Sequence, residues 1–324
     1  MKAIVYERYG SPDVLQLKEI DKPVPKDDRV LVKVRAASVN AYDWHMLRGK
    51  PFLVRLSEGL LKPKNHVLGA DIAGQVEAVG NEVKQLHPGD EVFGTISGGF
   101  AEYACPREQY LGLKPANLSY EEAAAVPMAA ITALQGLRDK GKIQPGQKVL
   151  INGASGGVGT FAVQIAKSLG AEVTGVCSTS HVDKARSIGA DHVIDYTQED
   201  FTKNGQHYDL ILAANGYHSL SAYKRALGPT GTFVMTGGSM AQMFQAMLLA
   251  RWMSKPGGKQ MSFLMAKLNK NDLVYLKGLL EAGKIAPVIE RRYPLSQVAD
   301  AVRYLEAGHA QGKIVITFEN GDKA

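Results

Sequence analysis

Apolar and polar residues alternate in short runs through the first third of the chain. Residues 30–34 and 73–79 show this alternation, and turns rich in Gly, Pro and Asp separate such runs, as at Pro88-Gly89-Asp90. A period of two is typical of strands that bury one face. The pattern therefore predicts an all-β domain over residues 1–124.

From residue 125 the pattern changes to strands that alternate with helices. A short apolar strand at 148–152 precedes apolar residues spaced by three and four up to Leu169, which predicts a helix that Gly170 ends. Further strands are predicted at 172–176, 192–195, 208–213 and 232–236. This rhythm favours a doubly wound parallel sheet over residues 125–263.

Residues 264–324 are predicted to return to the first domain. They show a helix near 271–282, a strand at 288–293, a helix capped by Ser296 and a closing strand at 314–318. A chain of 324 residues is long enough for two domains at about 150 residues each. The expected domains are thus 1–124 with 264–324, and 125–263.

A glycine-rich turn, Gly153-Ala154-Ser155-Gly156-Gly157-Val158-Gly159, connects the strand at 148–152 to its helix. It is the dinucleotide fingerprint with Ala in the first glycine position. Gly156 would let the backbone approach the pyrophosphate, and Gly159 would let the helix pack on its strand. The residues expected to bind the cofactor here are Ser155, Gly156, Gly157, Val158 and Gly159.

The segment after the second strand of this domain predicts NADPH rather than NADH. An NAD-selective site would place an acidic residue there for the ribose 2′-hydroxyl, but the chain has Ser178 and Thr179. Lys184 is the candidate cation for the 2′-phosphate, and Tyr196 is a candidate hydroxyl donor. The alternatives are a solvated helix lysine and a packed aromatic ring.

Composition narrows the function classes. The formal charge is +6, but Lys and Arg are scattered among acids without a basic run that interleaves aromatics, so nucleic acid binding is not expected. No run approaches the roughly 20 apolar residues of a membrane span, and the N-terminus shows no signal pattern, which predicts a soluble cytoplasmic protein. The Met-rich stretch 240–253 is interpreted as core, dimer contact or pocket wall rather than a membrane anchor.

Five segments together resemble the medium-chain dehydrogenase/reductase superfamily, and within it the zinc-independent quinone oxidoreductase and enone reductase branch. They are residues 37–44, 68–76, 99–103, the glycine turn 153–159, and 312–316. The resemblance implies an α/β chain with a GroES-like β-barrel catalytic domain and a Rossmann cofactor domain. It also implies a homodimer formed through an edge of the cofactor sheet.

The zinc-dependent branch of that superfamily uses a Cys from the first segment and a His-Glu pair from the second. Here Asn40 and the run Gly69-Ala70-Asp71 stand in those places, so no metal is expected. Cys105 and Cys177 are too isolated for a disulfide framework or a cysteine zinc site. His45 and His66 are interpreted as hydrogen-bonded core or loop residues.

The resemblance also implies roles for single residues. Asn40 is expected near the nicotinamide ribose or the substrate carbonyl, Asp43 is expected to hold the loop, and Tyr42 is the nearest candidate proton donor, although solvent is an alternative. The candidate contacts to the nicotinamide end of the cofactor are Thr132, Gly237 and Gly238, and those to the acceptor are Trp44 and Phe52.

These features predict an NADPH-dependent reductase of quinones or α,β-unsaturated carbonyls. Such acceptors delocalise the charge that hydride addition creates, so they need less electrophilic assistance than alcohol oxidation does. Two alternatives stay open at this point. One is a zinc alcohol dehydrogenase, and the other is a non-catalytic NADPH-binding redox sensor or RNA-binding partner.

Overall fold

The computed structural model describes residues 1–308 and 310–318, which form two compact units. The first unit comprises Met1–Met128, Leu268–Glu281 and Pro287–Ala324, and the second comprises Ala129–Lys267 and Ala282–Ala286. The sequence pattern places the divisions at 124/125 and 263/264, whereas the units divide after Met128 and Lys267. The short return of 282–286 to the second unit has no counterpart in the predicted boundaries.

The N-terminal part of the first unit is built mainly from strands. Its elements in chain order are β1 (Lys2–Val5), β2 (Gln16–Glu19), β3 (Val30–Val39), α1 (Ala41–Arg48), α2 (Phe52–Glu58), β4 (Asp71–Val79), β5 (Glu91–Thr95), β6 (Tyr103–Ala104), β7 (Leu111–Leu113) and α3 (Tyr120–Ala124). The next helix, α4 (Pro127–Leu134), begins in this unit and continues into the second, which starts at Ala129. The alternation seen in the sequence reflects burial, because Val30, Val32 and Val34 point into the core of this unit. β3 and β4 pair antiparallel along most of their length.

The second unit contains a six-stranded sheet in which every strand pair is parallel. Its elements are β8 (Lys148–Asn152), α5 (Gly157–Ser168), β9 (Glu172–Cys177), α6 (Val182–Ser187), β10 (His192–Asp195), β11 (Tyr208–Ala213), α7 (Leu220–Ala226), β12 (Leu227–Met235), α8 (Met240–Met253) and β13 (Gln260–Phe263). The strand order is β10-β9-β8-β11-β12-β13, so the chain reverses direction across the sheet between β8 and β11. Open parallel sheets bind ligands at such a reversal.

The sequence pattern predicts five strands in this sheet, whereas the structure has six. β13 was missed because Gln260-Met261-Ser262-Phe263 is short and mixes polar with apolar residues, and its pairing with β12 completes it. The helix predicted after β8 is confirmed as α5, which ends before Gly170, a residue with φ of +83°. Its burial extends beyond the predicted face, since Thr160, Val163 and Gln164 are buried as well.

The C-terminal elements complete the first unit. They are α9 (Lys270–Glu281), β14 (Ile289–Pro294), α10 (Val298–Glu306) and β15 (Lys313–Thr317). β15 pairs antiparallel with β3, giving a seven-stranded sheet. Six of its strands follow the order β14-β15-β3-β4-β5-β7, and the seventh, β6, pairs with β3 beside this path. α10 begins after a single 3-10 turn with Gln297 as its N-cap, so Ser296 does not cap it. The α/β fold class, with one antiparallel-rich unit and one parallel-sheet unit, is confirmed.

Candidate functional site

The glycine turn of the second unit lies between the carboxyl end of β8 and the first turn of α5, with Gly156 as the N-cap. The first N–H groups of a helix have no partner within it, and they carry the positive end of its dipole. A Cβ built on Gly156 would meet only the Gly153 carbonyl oxygen, at 3.6 Å. The fold therefore leaves open space beside the backbone of Gly156, which is what a pyrophosphate requires.

Two other glycines of the turn are required by the protein itself. A Cβ on Gly159 would lie 1.9 Å from the Gly153 carbonyl oxygen, so α5 can approach β8 this closely only without a side chain there. Gly153 has a φ of +88°, a conformation that favours glycine. Ser155, Gly157 and Val158 complete the turn and are partly exposed.

Gly237 and Gly238 follow β12 and pack against the loop after β11. A Cβ on Gly237 would lie 2.3 Å from the Ala214 carbonyl oxygen, and Gly238 forms a parallel bridge to Gly216 with a φ of +147°. The need for glycine is thus explained by backbone packing at the ends of β11 and β12. Thr132, the other residue predicted to contact the nicotinamide end, lies partly buried on α4.

The residues predicted to bind a 2′-phosphate lie at the carboxyl ends of β9 and β10. Ser178 and Thr179 follow β9, and the Tyr196 backbone N–H donates to the Cys177 carbonyl oxygen at 3.0 Å, so Tyr196 lies beside the same strand end. Its side chain is exposed, and Lys184 lies on α6. The sheet therefore brings Ser178, Thr179 and Tyr196 to one edge.

The sequence reasoning missed a carboxylate at this edge. Asp195, the last residue of β10, pairs in register with Cys177, and its Oδ2 accepts a hydrogen bond from Thr179 Oγ1 at 2.5 Å. That bond and two from Thr197 lower the pKa of Asp195, which keeps it ionised. The dinucleotide pattern places its acidic residue at the end of the second strand, β9. Asp195 instead ends the neighbouring strand β10, so that pattern does not predict it.

In the first unit, Asn40 follows β3 as the N-cap of α1, and its side chain is enclosed in a polar cluster. The Asn40 Nδ2 group donates to Asp71 Oδ2 at 3.0 Å and to the Ser38 carbonyl oxygen at 3.2 Å. Its Oδ1 accepts from Lys313 Nζ at 2.5 Å. Both amide hydrogens are therefore already used within the protein, and Asn40 is only 7% exposed.

Asp43 lies in the first turn of α1 and is fully buried. Its Oδ2 accepts the Asn40 backbone N–H at 2.7 Å, an arrangement that fixes the start of the helix. Its Oδ1 is buried without a hydrogen-bond partner among the described residues. Asn40 and Asp43, which the resemblance brings together, are thus adjacent and form part of the protein interior.

Two further members of this cluster were missed as functional residues. Asp71 begins β4 and accepts hydrogen bonds from Thr95 Oγ1 at 2.8 Å and from the Met128 backbone N–H at 3.1 Å. Lys313 begins β15, is 3% exposed, and places its Nζ 3.9 Å from Asp71 Oδ2. A lysine in the strand pattern Lys-Ile-Val-Ile was a usable signal, because a buried strand rarely carries a charge without a partner.

Burial controls the electrostatics of the cluster. It raises the pKa of Asp43 to about 7, and the neighbouring Asp71 acts in the same direction. Burial also raises the pKa of Asp71 and lowers that of Lys313, while the attraction between their charges opposes both changes. The cluster therefore holds one ion pair together with one carboxyl group, that of Asp43, which is about half protonated near pH 7.

The remaining candidates on this side of the first unit surround α1 and α2. Burial raises the pKa of Tyr42 to about 12, so its phenol keeps its proton at physiological pH. Trp44 is partly buried and Phe52 is 62% exposed. The exposed apolar surface continues beyond Phe52 to three residues that the sequence reasoning did not select: Leu56, Leu60 and Leu61.

Two histidines of the first unit, His45 and His66, lie beside backbone carbonyl groups. His45 Nδ1 contacts the Lys50 carbonyl oxygen at 3.0 Å, and His66 Nδ1 contacts that of Tyr6 at 3.3 Å. Burial raises the pKa of both Cys105 and Cys177, which disfavours the reactive thiolate. No three His, Cys, Asp or Glu side chains gather as a possible metal site within residues 1–308 and 310–318.

Comparison with known proteins agrees with this geometry. Residues 26–135 match the family model of the alcohol dehydrogenase GroES-like domain, and residues 188–316 match that of zinc-binding dehydrogenases. A 2-methylene-furan-3-one reductase from Solanum lycopersicum is 37% identical over 98% of this chain and 79% of its own length. The chain belongs to the medium-chain dehydrogenase/reductase superfamily.

Other members of the superfamily show to which branch this chain belongs. An NADPH-dependent alkenal/one oxidoreductase of Arabidopsis thaliana chloroplasts is 34% identical over 98% of this chain and 79% of its own length. The structure of the quinone oxidoreductase from Coxiella burnetii superposes with a TM-score of 0.86 at 30% identity, covering 98% of this chain and 99% of that one. The chain therefore lies in the quinone oxidoreductase and enone reductase branch, with a GroES-like unit and a Rossmann unit.

Proposed function

We propose that this protein is an NADPH-dependent reductase that transfers a hydride to quinones or α,β-unsaturated carbonyls without a metal. The observation that carries the proposal is the ammonium group of Lys313, which lies among Asn40 and Asp71 where the zinc-dependent branch places its metal ligands. A buried cation and an amide are a poor donor set for zinc, which prefers thiolate, imidazole and carboxylate. Without a metal to stabilise negative charge, hydride transfer is favoured only to acceptors that delocalise that charge themselves.

The second unit supplies a site that fits a dinucleotide. The open space beside Gly156 and the N-terminus of α5 suit a pyrophosphate. Ser178, Thr179, Lys184 and Tyr196 would hold the 2′-phosphate, and Thr132, Gly237 and Gly238 would lie toward the nicotinamide. When bound, NADPH supplies the hydride. The name of the Arabidopsis relative, which includes NADPH, supports this choice of cofactor.

The first unit supplies the groups proposed to act on the acceptor. Tyr42 keeps its proton, so its hydroxyl can donate to the carbonyl oxygen as negative charge develops there, with solvent as the alternative donor. Asn40 and Asp43 fix the start of α1 and thereby position Tyr42. Trp44 and Phe52 supply apolar surface for a conjugated acceptor.

The test is NADPH oxidation by the purified protein with a panel of quinones, enones and alcohol or aldehyde pairs. We expect turnover with conjugated acceptors and none with simple alcohols. Bound metal is measured on the same sample, and about one zinc per chain with alcohol turnover would instead support a zinc alcohol dehydrogenase. Tight NADPH binding without turnover on any acceptor would support the redox sensor.

Two finer predictions belong with this proposal. A homodimer through an edge of the cofactor sheet would use β10 or β13, the two edge strands of that sheet. A cytoplasmic location also stays a prediction. No helix within the described residues is long and apolar enough to cross a bilayer.

A further inference from the structure

The outward face of α8 is unusually apolar. Phe244, Leu248 and Trp252 are spaced by four residues, lie on one side of the helix, and are 48%, 53% and 87% exposed. Ala246 and Ala250 lie on the opposite side and pack into the core of the second unit. A contiguous exposed apolar patch of this kind marks a surface that binds another protein or a membrane.

Charge is distributed asymmetrically along the chain, and α8 lies within a segment that has no acidic residue. Residues 210–271 contain seven of the 38 Lys and Arg residues of the chain and none of its 32 Asp and Glu residues. The rest of the chain therefore has 31 basic residues (38 less 7) against 32 acidic ones, so the whole positive balance resides in this segment. The modest net charge of the protein thus conceals a strongly basic region.

Part of this basic region adjoins the C-terminal end of α8. An open cleft of about 490 Å³ is lined there by Lys224, Arg225, Lys255 and Lys259 together with Met253, the last residue of the helix. Lys224 Nζ donates to the Met253 carbonyl oxygen at 2.5 Å, which ties the basic cleft to the helix. None of the four cations forms an ion pair with a carboxylate in the described part of the chain.

We infer that the outward face of α8 and the adjoining basic cleft form a docking surface for an anionic membrane. Phe, Leu and Trp side chains enter the interfacial layer of a bilayer, and neighbouring Lys and Arg side chains are attracted by acidic headgroups. A second copy of the chain is a poorer occupant. A two-fold interface through this face would bring two copies of the basic cleft toward each other, and the described lining of the cleft contains no acidic residue to pair with them. The inference does not depend on which acceptor the enzyme reduces.

Vesicle sedimentation tests the two components of the surface separately. The full chain is mixed with phosphatidylcholine vesicles, with or without phosphatidylglycerol, and the bound fraction is measured. We expect binding only to the anionic vesicles and weaker binding at high salt. The variant Arg225→Gln/Lys255→Gln should lose more than about tenfold in partitioning, and Leu248→Ser/Trp252→Ser should lose binding at constant charge.

Matched controls remove equivalent groups elsewhere. Arg8→Gln/Lys26→Gln takes two exposed cations from the first unit, and Val24→Ser takes an exposed apolar residue. Both should bind anionic vesicles as the wild type does. Equal losses in Arg8→Gln/Lys26→Gln and Arg225→Gln/Lys255→Gln would show that net charge alone drives binding, which would overturn the proposed surface.

Tryptophan fluorescence tests insertion directly, because the chain contains only Trp44 and Trp252. Brominated phosphatidylcholine, included in the anionic vesicles, should quench the wild-type emission, and Trp252→Phe should remove most of that quenching. Sedimentation velocity without vesicles supplies the opposing outcome. A dimer that Trp252→Ser dissociates, without vesicle binding by the wild type, would assign the face to a second copy and refute membrane docking.

Discussion

The polar cluster of the first unit and the strand-end site of the second unit place polar side chains in opposite settings. Asn40, Asp71 and Lys313 are buried and hydrogen-bonded to one another. At the ends of β9 and β10, Thr179 and Tyr196 are exposed and Asp195 is partly exposed. Buried polar groups depend on their partners for stability, whereas exposed ones are solvated and remain available to a ligand. The first site should therefore respond to mutation in stability and the second in affinity.

The largest expected effect is on the buried ion pair. Lys313→Met leaves the Asp71 carboxylate buried without its cation, which should lower the free energy of unfolding by about 3–5 kcal/mol. Chemical denaturation measures it. Lys18→Met breaks the exposed pair with Glu7 and should lower the free energy of unfolding far less, because water already screens that pair. Equal costs for the two variants would remove the distinction between buried and exposed sites.

The second prediction concerns the pH dependence of stability. Folded Asp43 keeps its proton up to a pKa of about 7, whereas unfolded Asp loses it near pH 3.9, so its contribution to stability falls as pH rises through this window. Between pH 5 and pH 8, wild-type stability should fall relative to that of Asp43→Asn by on the order of 2 kcal/mol. Denaturation of both proteins at the two pH values measures this change.

Asp13 provides the control for that experiment. Hydrogen bonds from Ser11 and Arg303 lower its pKa, so its stabilising contribution is lost only as pH falls below the ordinary range of a carboxyl group. The difference between wild type and Asp13→Asn should stay constant from pH 5 to pH 8. An equally constant difference for Asp43→Asn would mean that Asp43 is ionised throughout.

The third prediction concerns the exposed site. Lys184→Ala should raise the KM for NADPH by about tenfold while changing the KM for NADH little, since only NADPH carries the 2′-phosphate. Unfolding free energy should stay close to that of the wild type. Arg186→Ala, on the same helix, is the control and should leave the ratio of the two KM values unchanged. A ratio that moves equally in both variants would place the phosphate elsewhere.

The smallest expected effect is at Asp195. Its partly exposed carboxylate lies beside Thr179 and would repel a 2′-phosphate held there, although water and salt screen that repulsion. Asp195→Asn should therefore lower the KM for NADPH by about twofold to fivefold. Asp183→Asn removes an equivalent exposed charge from α6 as a control. If Asp195→Asn improves NADH binding as much as NADPH binding, the carboxylate does not face the phosphate.

Most of the fold could be predicted because its signals are local. The alternation around Val30 and the glycine turn before α5 each lie within a few consecutive residues, and both correspond to the observed elements. β13 escaped prediction because a short strand with mixed polarity has no local signature and forms only through its pairing with β12. The roles predicted for Tyr42, Lys184 and the other site residues stay predictions until they are tested.

Two features can be derived from the sequence alone: a dinucleotide turn follows β8, and Cys and His are missing where the zinc-dependent branch carries them. Two contacts become visible only in the fold: Lys313 meets Asn40 and Asp71, and Asp195 meets Thr179. The physical reason is the range of each interaction. A turn depends on the conformations of neighbouring residues, whereas the partner of a buried or strand-end charge depends on which strands the sheet places side by side.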